Sequence, residues 1–398
     1  MLRAAQEDRR TAGAVVLATR PERVGVTRLV LNDFRNYRAA RLDLEPGPVV
    51  LTGPNGAGKT NLLEALSFLS PGRGMRNARL GDIDRRDGSG EARDSGWAVA
   101  ATVETPRGRV RIGTGRDAAT GDRRAVRIDG EPAKGQAVLA ELLGVLWLTP
   151  QMDRLFVDGP GGRRRLMDRL VLGLDPAHAG RVARYEHALR ERSRLLRDGP
   201  RDTAWLTALE DVMAAEGLAV AAARRETIER LDRVCAEAAG AFPRVRLALL
   251  GTVEGWLDTM PALAAEEQLK TMLATGRAGD AASGATAIGP HRSDLRVNHA
   301  EKGMAAEAAS TGEQKALLIA IVLGQARLQC AVRGEPPLLL LDEVAAHLDA
   351  TRRAALFETL AGLESQAWIT GTEAQLFAPL AGAARFLSVA DGALSEAG

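Results

Sequence analysis

Short, almost wholly apolar runs recur along this chain. Val49-Val50-Leu51-Thr52, Val145–Thr149, Leu338–Leu341 and Ala367–Thr370 are too short for helices and carry no polar face. That is the pattern of strands buried on both sides. Other stretches alternate instead. Val24–Leu31 opens a strand, and Leu42-Asp43-Leu44 reads as its neighbour. Trp97–Val103, Arg109–Gly113 and Ala125–Asp129, separated by Pro106-Arg107-Gly108 and Gly121-Asp122, predict an antiparallel meander. Asp294–Asn298 is a further strand, and Pro71–Ser95, rich in Arg, Gly and Asp, is a loop.

The period changes to that of a helix over Asn61–Leu69, and again from Gly162 to about Gly276. The latter region holds Arg163–Leu172, Ala177–Arg197, Asp202–Ala239 and Pro261–Ala274, broken at Asp198-Gly199-Pro200 and Phe242-Pro243. Gly276–Gly284 reads as a small-residue linker, and Glu313–Val332 and Ala350–Leu363 are helices. An α/β unit over 24–161 is thus interrupted by a helical insertion, 162–284, and completed by 285–398. No internal repeat is present.

At 398 residues and 45% hydrophobic, the chain can bury one large core plus an accessory lobe. A net charge of +2 gives no global attraction for nucleic acid, so any basic surface must be local. Lysine is nearly absent: Lys59, Lys134, Lys270, Lys302 and Lys315 stand against a large excess of arginine. Two cysteines, Cys235 and Cys330, cannot form a disulfide framework, which places the protein in a reducing, cytoplasmic setting. The five histidines lack metal-ligand spacing, and no run approaches membrane-helix length. In residues 1–23, Ala12–Ala18 faintly resembles a signal core, but Glu7 and Asp8 spoil its basic end. The segment is expected to be a disordered extension or the product of an upstream start codon.

The most specific chemistry follows the first buried strand. Gly53-Pro54-Asn55-Gly56-Ala57-Gly58-Lys59-Thr60 is a complete GxxxxGK[ST] loop between a strand and a helix. Its glycines let backbone N–H groups curl around a phosphate at a helix N-terminus. Lys59 is placed to reach the β- and γ-phosphates of ATP, and Thr60 to offer its hydroxyl to Mg²⁺. Leu338–Leu341 delivers Asp342 and Glu343 at a strand end. Asp342 suits Mg²⁺ held through water, and Glu343 suits polarisation of the attacking water. Ser310-Thr311-Gly312-Glu313-Gln314-Lys315 begins the helix leading to that strand. Ser310 as cap and Gly312 beside it make a second anion site, aimed at the ATP of another subunit. Gln151, after the Trp147 strand, can contact Mg²⁺ and water and so connect the insertion to nucleotide state. Asp349, in Leu348-Asp349, is placed to cross a dimer interface.

With these residues in view, the chain resembles an ABC-type ATPase head, and within that superfamily the RecF family of recombination mediators. The resemblance spans residues 24–392. It rests on Phe34-Arg35-Asn36-Tyr37, on the loop continued through Asn61-Leu62-Leu63-Glu64-Ala65-Leu66, and on Arg163-Arg164-Arg165 opening the arm. Gly289-Pro290-His291-Arg292-Ser293-Asp294-Leu295 and the Ser310–Lys315 signature, including Gln314, complete it. The resemblance implies a P-loop α/β head with an antiparallel β subdomain, an inserted helical arm, ATP-driven homodimerisation, and binding of double-stranded DNA at single-strand gaps and junctions. It also implies helping RecA replace single-strand-binding protein, together with RecR and RecO.

The signature departs from the Ser-Gly-Gly-Gln of transporters. Where transporters place a switch histidine, this chain has Ile369-Thr370-Gly371-Thr372, making Thr372 a weaker candidate for a γ-phosphate contact and slow hydrolysis the expectation. Arg35 and Arg38 are candidate nucleotide contacts, with solvated surface positions as the plain alternative. A transporter subunit would not need the helical insertion, and a structural chromosome protein of the SMC type would need hundreds of heptad residues there.

Overall fold

A computed structural model of the chain describes residues 24–86, 96–116, 123–199 and 203–396. The extension expected over 1–23, residues 87–95 of the expected loop and the Gly121-Asp122 turn lie outside them.

The first sheet is antiparallel, in the order β2–β1–β4–β5–β6–β7. Its strands are β1 Gly25–Phe34, β2 Tyr37–Asp43, β4 Trp97–Thr105, β5 Gly108–Arg116, β6 Arg124–Ile128 and β7 Glu131–Pro132. The expected meander is β4–β5–β6. Along β4, Trp97, Val99, Ala101 and Val103 are buried while Ala98 and Ala100 face water. The partner of β1 starts at Tyr37 rather than at Leu42. On this edge strand Arg38, Ala39 and Arg41 are exposed, so apolar alternation gave no signal for it.

The second sheet runs β15–β14–β3–β13–β12–β8. β3 Val49–Thr52, β8 Val145–Leu148, β12 Leu338–Leu341, β13 Ala367–Gly371 and β14 Arg385–Ala390 are parallel; β15 Ala393–Glu396 is the antiparallel edge. β14 and β15 have no counterpart in the sequence expectations. Short α2, Leu139–Leu142, precedes β8. The alternation of buried side chains splits the core in two. Val49, Leu51, Leu338, Leu340 and Trp368 pack under the first sheet and α1, Lys59–Ser67. Val50, Leu339, Leu341 and Ile369 pack against α9, Thr311–Arg333, and α10, Ala350–Gly362. Gln366 ties the two sheets: its amide accepts from Val26 N at 2.7 Å and donates to Val26 O at 3.1 Å. The expectation of no membrane-length apolar run is corrected by α9. By length and composition it could cross a bilayer, but it is buried as the core helix of this α/β unit.

The insertion is not helical throughout, as the periodicity predicted. α3 Pro160–Leu172, α4 His178–Asp198 and α5 Thr203–Ala236 are followed by a strand, β9 Val245–Leu250. β9 pairs with β10 Asp294–His299, matching Leu247 to Val297, and β11 Met304–Ala305 completes this third sheet. Then come α6 Thr252–Thr259, α7 Ala262–Thr275 and α8 Arg277–Ser283. The expected Gly276–Gly284 linker is therefore mostly helix. Its small side chains hid it, because what holds α8 is tertiary: buried Asp280 accepts from Arg192 at 2.7 Å.

Arg192 organises the arm. Its fully buried guanidinium also donates to Glu210 on α5 at 2.9 Å, to Thr286 at 2.9 Å and to Leu273 O on α7 at 2.7 Å. Removing one member of such a network strands buried charge. Arg192→Leu is expected to lower stability by about 3–5 kcal/mol, measured by urea unfolding followed by circular dichroism. An unchanged midpoint would mean that the arm does not depend on this cluster.

Candidate functional site

Four parallel strands of the second sheet end at one edge. Leu148, Leu341 and Ile369 stand in register, as do Thr52 and Gly371. Residues leaving these strands therefore meet where open parallel sheets place their ligands. The phosphate loop leaves β3, Asp342-Glu343 leaves β12, Gln151 follows β8, and Thr372 follows β13.

The loop needs its glycines. Gly53 has φ 148, and a Cβ there would lie 2.2 Å from Val389 O. Gly58 has φ 117, and a Cβ would lie 2.5 Å from the Asn36 amide nitrogen. No side chain caps the N-terminus of α1, so its first amides are left for an anion. Lys59 is buried, its Nζ donating to Gly53 O at 2.7 Å and Pro54 O at 2.9 Å. Burial holds its ammonium below the usual lysine range, while Glu343 and Asp342 pull it back up.

The Phe34–Tyr37 block supplies a clamp whose roles the sequence did not disclose. Asn36 donates to Ala57 O at 3.0 Å and accepts from Asn61 at 2.8 Å; the Tyr37 hydroxyl donates to Gly58 O at 3.0 Å. Arg35, expected at the nucleotide, has φ 54 and is held in a two-pronged pair with Glu64 at 2.7 and 2.8 Å. Arg38 is exposed on β2.

Asp342, at the end of β12, is hydrogen-bonded to α1 and to β13. One of its oxygens accepts from Thr60 at 3.0 Å and from Thr370 at 2.7 Å. The Thr370 hydroxyl in turn accepts from Glu343 N at 2.9 Å. Burial pushes the Asp342 carboxyl up, opposed by these hydroxyls. Glu343 has φ 51, a left-handed conformation costly for this residue type, in the sharp turn leaving β12. Thr372 lies exposed beyond the strand end, whereas fully buried Thr370 makes the contacts. Sequence alone read Thr370 as one more strand residue.

Gln151 is exposed on a tight turn, Pro150–Arg154, just past the end of β8, where Leu148 O accepts from Asp342 N at 2.9 Å. Lys315, unassigned from sequence, links this turn to the strand end: buried, it lies 3.7 Å from Asp153 and 3.5 Å from Glu343 O. Asp349 caps α10, accepting from Arg352 N at 2.8 Å.

Ser310 forms a capping box with Glu313, whose carboxyl is brought down to about 2 by Lys302 and by Ser310. Gln314 turns inward and donates to Ala309 O at 3.1 Å. Ser310, Thr311 and Gly312 are exposed. Among the described residues no hydrogen bond or ion pair joins them to the phosphate loop of their own chain.

Oxygen donors fit a hard cation here. The Thr60 hydroxyl and the Asp342 carboxylate already converge, beside a loop shaped for phosphate. Among the described residues no group of three His, Cys, Asp or Glu could hold a metal.

A phosphate loop, a strand-end acid pair and a capped signature helix, on an α/β unit split by an arm, define an ATPase head of the ABC/SMC type. The family model for the RecF/RecN/SMC N terminal domain matches residues 25–392. DNA replication and repair protein RecF of Mesorhizobium japonicum is 49% identical over 377 residues, 94% of this chain and 98% of that protein. Its namesake in Rhizobium rhizogenes is 49% identical over 381 residues, 94% of this chain and 100% of its own length. The chain belongs to the RecF family. In fold it is similar to the ATP complex of RecF, the recombination mediator of the RecFOR pathway, with TM-score 0.82 at 21% identity, over 96% of this chain and 100% of that one. The Smc head of Pyrococcus furiosus, bound to the C-terminal domain of ScpA, matches at TM-score 0.53 and 17% identity over 94% and 96%.

Asn36→Ala is expected to weaken ATP binding about tenfold, the scale of one lost hydrogen bond that orders the loop. Lys59→Ala is expected to remove binding altogether. Equilibrium titration with a fluorescent ATP analogue checks both. Wild-type affinity in Asn36→Ala would deny the clamp, and in Lys59→Ala it would remove the loop from the site.

Proposed function

We propose that this protein is an ATP-switched DNA-binding protein of recombinational repair and replication restart that works as a homodimer in the cytoplasm. The observation that carries the dimer is the division of the site. Lys59, Thr60, Asp342 and Thr370 are assembled on one edge, while Ser310 and Gly312 are presented, capped and exposed, elsewhere on the same chain. A second copy completes the site: its Ser310 and Gly312 approach the nucleotide held by Gly53–Thr60, with its Asp349 at the interface. Mg²⁺, when bound, is held by Thr60 and Asp342 with Gln151 nearby, and neutralises phosphate charge. Glu343 polarises the attacking water. Thr372 replaces the switch histidine, and hydrolysis is slow, so ATP acts as a clamp signal.

The name shared by the relatives, and the RecFOR pathway of the structural neighbour, support a place in gap repair. The ATP dimer binds duplex DNA beside a single-strand gap and, with RecR and RecO, helps RecA replace single-strand-binding protein.

Glu343→Gln is expected to bind ATP, hydrolyse it at least about a hundredfold more slowly, and accumulate as a dimer. Light scattering under saturating ATP checks this, and a monomer with slow turnover confirmed would refute the trap. Ser310→Arg should bind ATP and fail to dimerise. Mixed with Lys59→Ala it should regain hydrolysis, because each heterodimer holds one intact site. Heterodimers that form without activity above either parent would show that the signature does not act across subunits.

A further inference from the structure

We infer that an arginine strip running from the first sheet to the foot of the arm holds the sugar–phosphate backbone of duplex DNA. This rests on the DNA-binding function proposed above and names its contact surface. A cleft of about 380 Å³ is lined by Arg73, Arg79, Arg123 and Arg124 and, among the described residues, by no acidic one. Arg73 also lines a second cleft of about 570 Å³, together with Arg164, Arg165 and Arg190 from α3 and α4. A third cleft, of about 450 Å³, again contains Arg73 and Arg165. The loop carrying Arg73 therefore makes one basic surface out of the β subdomain and the arm.

Charge bookkeeping sets this surface apart. Elsewhere exposed arginines are mostly paired, as in Arg28–Asp43, Arg184–Glu216 and Arg246–Asp232. Here the acids are already engaged: Asp168 by Arg224 and His178, Glu186 by Arg190. Arg73, Arg79, Arg123 and Arg165 are exposed, and none of them makes an ion pair among the described residues. Arg164 donates only to a carbonyl, Ser293 O, at 3.0 Å. A chain of net charge +2 leaves such a cluster uncompensated, which favours a polyanion there. Guanidinium forks suit phosphate oxygens. The N-terminus of α3, without a side-chain cap, adds backbone donors where Gly161 lines the second cleft.

Arg163, the first residue of the Arg163–Arg165 run, takes no part. It is turned to Asp294 at 2.7 and 2.8 Å. Duplex rather than single strand is favoured because the strip offers no stacking platform. Of the rings that line its clefts, Trp147 is covered by the Arg169 guanidinium at 4.2 Å, and Tyr185 is buried with its hydroxyl 2.6 Å from His291.

The test uses the full chain with ATP and a fluorescent duplex of mixed sequence, titrated across a salt series. The triple variant Arg73→Gln/Arg123→Gln/Arg165→Gln should bind on the order of tenfold or more weakly, with a log–log salt slope shallower by about 2–3. ATP binding should be unchanged, which also verifies folding. The matching triple Arg→Lys variant should keep most of the slope. Arg296→Gln, exposed on β10 and outside the three clefts, should bind like wild type. Wild-type DNA binding by the triple Gln variant, or an equal loss in Arg296→Gln, would overturn the strip. Tighter binding of single-stranded DNA than of duplex would overturn the choice of ligand. A wild-type chain that binds no duplex with ATP would remove the DNA-binding function itself, and the strip with it.

Discussion

Two threonine hydroxyls and one carboxylate hold the working edge of this molecule together. Thr60 and Asp342 lie 282 residues apart, and Thr370 arrives on β13, the strand between β3 and β12. Asp342 is buried, so its oxygen must be hydrogen-bonded or carry a steep desolvation cost. Parallel pairing of β3, β13 and β12 is what brings these groups together, and the pairing exists only because the interrupted α/β unit resumes after the arm. The site's geometry is therefore a property of the closed sheet and not of any single motif.

The arm is joined to this edge by polar contacts rather than by core packing alone. Gly289–Asp294, the segment re-entering the α/β unit, is a hub. Pro290 O accepts from Arg224 at 2.6 Å, His291 meets the Tyr185 hydroxyl at 2.6 Å, and Asp294 receives Arg163. A Cβ at Gly289 would lie 2.2 Å from the Tyr185 oxygen, so only glycine lets α4 approach. Arg163 continues the connection, donating to Leu155 O at 3.0 Å and Asp158 O at 2.7 Å just past the turn that bears Gln151. α3 thus touches both the hub and the nucleotide edge.

What the sequence revealed follows from how local each signal is. The buried strands were legible because burial on both faces leaves uninterrupted apolar runs, and the phosphate loop because its chemistry dictates residue types at fixed spacing. β9 was obscured by its setting between helices and after Phe242-Pro243, although Val245 and Leu247 alternate with exposed Arg246 and Ala248. α8 had no apolar face to read, since Arg192 holds it from a distance. Asn36, Thr370 and Lys315 were visible as letters but not as parts. Their roles depend on which strand lies beside which, and the pairing of Arg35, a candidate nucleotide contact in the sequence, with buried Glu64 shows only in the fold.

The length of α5 has a mechanical consequence. Its C-terminal half is held at the base of the arm and on the head: Arg224 binds Asp168 of α3 and Pro290 O, and Cys235 Sγ rests 4.0 Å from Ala320 O of α9, the helix that begins with the signature. Its N-terminal half packs only within the arm, through Met213, Ala214 and Leu218. From Arg224 to Thr203 the helix runs about 30 Å. Measured from the Cys235 contact on α9, the helix runs about 48 Å to Thr203, so a tilt of about 5° about that contact would carry the far end about 4 Å. α5 thus joins the signature helix to the tip of the arm as one continuous rod.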